Sequence, residues 1–322
     1  MFSIVIPVYR NEESLPHLIA ALETLSADVR ARHAMPLEAV FVVDGSPDRC
    51  YAMLADSLPR ATFPAKLIAH SRNFGSFAAI RTGLCACSGE YMAAWAADLQ
   101  EPPSLMLDFI GKLAVDSCDV VVGTRASRSD PPISRFASSL FWRLYRALIN
   151  RDIPAGGVDV FGCNRRFRDE LVRLPETNSS LVGLLFWLGF RRAEIRYDRQ
   201  PRLHGKSAWS FRRKLNYLLD SVFSFTDRPV KVLIALGLLG VLLAVAVGVT
   251  VLAARLVGNI DVPGYTPTVL IVLFFGGLNA LGLGIVGTYA WRGYENTKGR
   301  PLALVMNAQS FPGAGGIERR QT

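Results

Sequence analysis

Tyr91-Met-Ala-Ala-Trp-Ala-Ala-Asp-Leu-Gln-Glu-Pro-Pro103 is the stretch that decides how this chain folds. Tyr91 to Trp95 is a short apolar run and reads as a buried strand. Asp98 and Gln100 follow it directly. An acidic residue just past the carboxyl end of a strand sits where α/β sheets bind ligands. A carboxylate beside an amide oxygen is hard-oxygen chemistry, suited to Mg²⁺ or Mn²⁺ held against a diphosphate.

The surrounding pattern supports that placement. Phe2–Val8, Glu38–Val43, Lys66–Ala69, Tyr91–Ala96 and Asp119–Val122 read as strands. Helical patterns near Glu12–Leu25, Pro47–Ser57, Phe74–Ala86 and Ser104–Val115 lie between them. Apolar strands separated by helices predict an α/β fold with a mostly parallel sheet covered on both faces. Polar residues gather where strands end, at Tyr9–Glu13, Asp44–Ser46, Ser71–Asn73 and Asp98–Gln100, as a nucleotide crevice requires.

The second half of the chain is different. Half of the 322 residues are hydrophobic, and the mean hydropathy of +0.25 is high for a soluble domain. The excess is local: Val232–Ala254 and Val269–Trp291 carry no charge. At ~1.5 Å per residue each is long enough for a hydrocarbon core of ~30 Å. Arg212, Arg213, Lys214, Arg228 and Lys231 precede the first run, and Arg292, Lys298, Arg300, Arg319 and Arg320 follow the second. That asymmetry predicts a two-helix transmembrane hairpin with the long N-terminal region and both termini cytoplasmic. Four-residue stripes at Gly240, Ala244 and Gly248, and at Gly276, Ala280 and Gly284, are expected to pack the hairpin or join it to another copy.

Residues 133–150 are basic and amphipathic and read either as an interfacial helix or as a helix packed on the sheet; 206–226 repeat the pattern and read as an interfacial helix running straight into the first span. The expected plan is a catalytic region over 1–205, a juxtamembrane helix over 206–230, the hairpin over 231–292 and a tail over 293–322, disordered from Ala308. The net charge of +9 concentrates near the spans, which favours anionic lipid over nucleic acid, and no nucleic-acid motif is present. The five cysteines show no metal or disulfide spacing and read as reduced thiols. His204-Gly-Lys-Ser207 is no Walker A loop, because Gln200 stands where the first glycine belongs.

Ile4-Val-Ile-Pro-Val-Tyr9, Val43-Asp-Gly-Ser-Pro-Asp48, Ser71-Arg-Asn-Phe-Gly75 and Ala97-Asp-Leu-Gln-Glu-Pro-Pro103 occur in the order and spacing of the family 2 glycosyltransferases. Gly156–Val160, Tyr197–Arg202 before Gly205-Lys-Ser207, Gly287-Thr-Tyr289 and Lys298–Pro301 narrow the likeness. With them the chain resembles the polyisoprenyl-phosphate glycosyltransferases, a group that includes dolichol-phosphate mannose synthase and the bactoprenol glucosyltransferases. The resemblance covers about residues 2–305.

It implies a GT-A-type domain, a nucleotide-sugar donor, a polyprenyl phosphate acceptor and a Mg²⁺ or Mn²⁺ ion. Pro7, Tyr9, Glu12, Asp44, Ser46 and Arg72 are then the donor-binding candidates. Asp98 and Gln100 are the metal candidates. Arg125, Arg128, Arg199, Arg202 and Lys206 are those for the acceptor phosphate. Asp98, Arg125, Arg199 and Arg202 are the expected catalytic set. Guanidinium forks match phosphate oxygens, which agrees with the acceptor assignment.

Two departures stand out: Ala96 occupies the first carboxylate position of the usual Asp-x-Asp, and Arg10 displaces the Tyr-Asn-Glu pattern. Two rival readings follow. One is transfer to a hydroxyl of a lipid-linked saccharide, with Asp159 as the general base such an acceptor needs. The other, prompted by Ala96, is a catalytically silent scaffold.

Overall fold

The computed structural model describes residues 1–126, 141–174, 176, 179–201, 211–256 and 264–313. Arg128, Arg202 and Lys206 lie outside the described residues, as does the first part of the 133–150 segment.

The centre of the sheet is β1 (Phe2–Val8) beside β2 (Leu37–Val43). β2 is buried along its whole length, as an apolar run must be when helices cover both faces. β1 pairs in parallel with β2 and with β4 (Tyr91–Ala94), and β2 pairs in parallel with β3 (Ala65–His70). Alternation assigns the two faces. Ile4, Ile6 and Val8 pack in the cluster that holds Leu18 and Leu22 of α1 (Leu15–His33) and Phe109 and Ile110 of α4 (Pro103–Ala114). Val5, Val40 and Val42 pack in the cluster that holds Ala79 and Leu84 of α3 (Ser76–Ala86). α2 (Cys50–Ser57) joins the α1 side.

The sheet has eight strands in the order β7-β5-β6-β4-β1-β2-β3-β8. Three of them escape the sequence reading. β6 (Val160–Asn164) inserts antiparallel between β4 and β5 (Val120–Arg125). β7 (Arg192–Tyr197) runs parallel to β5 at one edge, and its alternating charges disguise it. β8 (Val305–Phe311) lies antiparallel on β3, from Ala65 opposite Phe311 to His70 opposite Val305. β8 corrects the expectation of disorder from Ala308. A polar, exposed strand is silent to a hydropathy pattern, yet its backbone completes the open edge of β3.

Residues 141–148 form α5, followed after β6 by α6 (Arg165–Arg173) and α7 (Leu181–Trp187). α8 (Phe211–Phe225) leads into the long α9 (Arg228–Leu256), and α10 (Tyr265–Thr297) follows. Among the described residues one segment, Arg228–Thr250, is long and apolar enough to cross a membrane, with a mean hydropathy of 2.9.

The two long helices run antiparallel. A Cβ on Gly240 would meet the Phe275 ring at 2.9 Å, and one on Gly282 would meet Leu233 at 3.3 Å. The Tyr289 hydroxyl donates to the Thr226 carbonyl at 2.9 Å, and Arg292 pairs with Asp220 at 2.6 Å. The end of α10 therefore returns to the start of α9. Of the glycines in the expected stripes, Gly240 meets the facing helix, whereas among the described residues nothing lies within 4 Å of a Cβ on Gly248, Gly276 or Gly284. The aromatic and aliphatic side chains of Phe275 and Leu233 set the spacing.

Truncation after Leu304 tests the role of β8. Losing the β3–β8 ladder should cost about 2 kcal/mol, or about 4–8 °C in Tm, by thermal unfolding of the purified protein.

Candidate active site

The strand ends of β1, β2 and β3 form one rigid wall. Pro7 sits in β1 although it cannot donate to a ladder. Its nitrogen faces the β4 side, where pairing ends at the bond from Trp95 N to Val5 O. Tyr9 follows and is 37% exposed at the edge. Arg10 takes a left-handed φ of 57°, and its amide donates to Ser46 Oγ at 2.7 Å. Ser46 in turn donates to Asp48 at 2.6 Å, and Glu12 pairs with Arg49 at 2.6 Å.

Asp44 is the keystone of this wall. It is buried, and its carboxylate accepts from the amides of Phe74 and Gly75 at 2.8 Å each and contacts His70 Nδ1 at 2.8 Å. His70 is braced on its far side by Thr82 at 2.9 Å. Asp44 thus holds the 71–75 loop at the start of α3. Gly45 makes the approach possible. Its φ is +59°, and a Cβ there would fall 2.3 Å from the backbone carbon of Arg72. Arg72 lies over the Phe74 ring at 4.2 Å.

The opposite wall is the turn after β4. Leu99 is left-handed at φ 55°, which turns the chain so that Asp98 Oδ1 accepts from the Gln100 amide at 3.4 Å. This turn is clamped to the segment after β7. The Gln200 amide donates to the Gln100 carbonyl at 2.8 Å, and Gln100 Nε2 donates to the Gln200 carbonyl at 3.3 Å. Arg199 Nη2 donates to Gln100 Oε1. Beside them Asp159 takes a two-bond fork from Arg125, at 2.6 and 2.9 Å, and a hydrogen bond from the Tyr197 hydroxyl at 3.1 Å. Burial, with Asp159 adjacent, pushes the Tyr197 phenol far up, so it remains a neutral donor.

The structure thus brings Asp98, Gln100, Arg125 and Arg199 to one place, and Pro7, Tyr9, Glu12, Asp44, Ser46 and Arg72 to the adjoining strand ends. It adds Glu101, whose importance the sequence does not announce. Glu101 is 2% exposed, and its Oε1 lies 3.9 Å from Arg199 Nε. Neither Glu101 Oε2 nor Arg199 Nε has a hydrogen-bond partner among the described residues. Burial, reinforced by Asp98 and offset in part by Arg199, raises the Glu101 carboxyl to about 7.

Among the described residues no three His, Cys, Asp or Glu side chains gather to hold a metal ion. The turn offers the Asp98 carboxylate, with Gln100 Oε1 engaged by Arg199. That donor set fits an ion such as Mg²⁺, which takes one or two protein carboxylates and fills its other positions from phosphates and water.

The comparisons agree with this geometry. The family model "Glycosyl transferase family 2" matches residues 3–174. An uncharacterized glycosyltransferase of Synechocystis is 33% identical over 94% of this chain and 94% of its own length. The putative glycosyltransferase CsbB of Bacillus subtilis is 33% identical over 96% and 92%. The bactoprenol glucosyl transferase of Shigella phage SfV is 27% identical over 95% and 98%. The chain belongs to the family 2 glycosyltransferases and is a glycosyltransferase, as the motifs imply.

Glu101 gives a pH test. A carboxyl whose folded pKa lies near 7, against 4.5 unfolded, contributes stability that is present below pH 4.5 and lost as pH rises through 7. Glu101→Gln should therefore be the more stable protein at pH 8, on the order of 2 kcal/mol, with little difference at pH 4.5. Chemical unfolding in chelator without nucleotide measures it.

Proposed function

We propose that the protein transfers a sugar from a nucleotide-sugar donor to a polyprenyl phosphate, undecaprenyl phosphate for a bacterial-type acceptor, at the cytoplasmic face of a membrane. The observation that carries this reading is the clamp between Gln100 and the Arg199–Gln200 segment. It joins the donor edge of the sheet to the stretch of chain that leads into α8 and α9. The relatives named bactoprenol glucosyl transferase, which match over nearly their whole length, support the same acceptor class.

The chemistry asks little of the chain. A lipid monophosphate, with a second pKa of ~6, is largely a dianion at neutral pH and attacks the anomeric carbon without a general base. A hydroxyl acceptor needs that base, and the side chains offer a poor one. Asp159 is engaged by Arg125 and Tyr197, and Glu101 is buried. The site must align nucleophile and carbon and stabilise the departing diphosphate. In this reading Arg199 and Arg125 orient the acceptor phosphate, and Asp98 would hold a divalent ion. Such an ion, when bound, draws charge from the leaving diphosphate. Direct displacement inverts the anomeric centre.

The membrane part of the reading rests on topology. β8 belongs to the same sheet as β1–β4, and Arg292 is tied to Asp220, so the chain that departs through α9 comes back through α10. If α9 crosses the bilayer, α10 must recross it, which gives a hairpin with both ends on the cytoplasmic side.

Two tests follow. Asp98→Ala should abolish transfer and Ala96→Asp should keep or raise it. Arg199→Ala should raise the acceptor KM at least tenfold with the donor KM nearly unchanged, read from steady-state kinetics. For topology, cysteine placed at 261 should label from outside intact cells, and cysteine at 10 or 315 should not.

A further inference from the structure

Away from the donor edge, a cavity of about 410 Å³ is lined by Arg143, Arg146, Ala147, Arg151 and Ala155. Three arginines line it, and no carboxylate is among these lining residues. None of the ion pairs among the described residues includes any of the three arginines. The neighbouring acid, Asp152, pairs with Arg192 at 3.2 Å. Arg146 donates through Nη2 to the Arg151 carbonyl at 3.1 Å, and its buried Nε has no hydrogen-bond partner among the described residues.

The helix α5, which carries Arg143 and Arg146, is pinned. Tyr145 on its opposite face is fully buried, with its hydroxyl 2.8 Å from Ser180 Oγ and 3.1 Å from Ser221 Oγ. Its ring stacks on Tyr217 of α8 at 5.9 Å. A Cβ on Gly157 would fall 2.1 Å from Trp142, so the returning loop is pressed against the same helix. Three cations held around one cavity repel unless an anion offsets them. Planar guanidinium forks suit the oxygens of a phosphate.

We propose that this cavity binds a phosphate group, held by arginines other than those that the acceptor reading above uses. The phosphate comes from a lipid headgroup or from solution. The packing of α5 on α8, which continues into α9, and the 45% exposure of Leu144 beside Arg143 put a lipid source within reach.

The test is calorimetric titration of the full chain in detergent with three probes: dihexanoyl-phosphatidic acid, inorganic phosphate and dihexanoylglycerol. Phosphatidic acid should bind, and the Arg143→Gln/Arg151→Gln double variant should bind it at least tenfold more weakly at an unchanged ligand-free Tm. Arg199→Ala should leave this binding in place. Equal affinity for inorganic phosphate assigns the site to free phosphate, and tenfold tighter phosphatidic acid assigns it to a headgroup. Rising ionic strength should weaken binding to the wild-type protein, which reads the charge without any substitution. Undiminished affinity in the double variant, equal binding of dihexanoylglycerol, loss of binding in Arg199→Ala, or indifference to salt would overturn the proposal.

Discussion

Gln100 and Gln200 lie 100 residues apart in sequence and grip each other by backbone and side chain. Much of the site geometry depends on that meeting. One partner closes the turn after β4, where Asp98 stands. The other follows β7 and carries Arg199, whose guanidinium reaches Gln100 and lies against Glu101. A carboxylate side and a cationic side of one crevice are thereby fixed across a single turn. Because the second partner leads on toward α8, the crevice is also coupled to the part of the chain that is most apolar.

The opposite wall is rigid for another reason. Asp44 is a polar group buried in the wall, and it persists there because two backbone amides and His70 meet it. A carboxyl bonded this fully is a support that shapes the 71–75 loop. Glu101 is the contrasting case. It is equally buried, lacks a partner for one oxygen, and is held neutral more readily. The two acids show how neighbours, more than residue type, set the task of a buried carboxyl.

Several of these features could be read in the sequence. β1 to β5 announce themselves as apolar runs, and the polar clusters fall at their ends. β6, β7 and β8 do not, because a short strand with a glycine, a strand of alternating charges and a polar edge strand are held by pairing that a one-dimensional pattern lacks. The motif around Asp98 was legible, whereas the roles of Glu101 and of Asp159 as a partner of Arg125 depend on contacts across 34 to about 100 residues. Small-residue spacing points to Gly240, and its partner is the Phe275 ring rather than a matching stripe.

The central claim is that the nucleophile is a lipid phosphate aligned by arginines at the edge of a donor crevice. Its most direct test is product analysis: purified protein with a panel of labelled nucleotide sugars and undecaprenyl phosphate, the lipid product then examined for linkage and anomeric configuration. The account predicts a mild-acid-labile glycosyl phosphodiester with the configuration of the donor inverted. A product glycosylated on a hydroxyl of a lipid-linked saccharide, with undecaprenyl phosphate left unmodified by every donor, would contradict it.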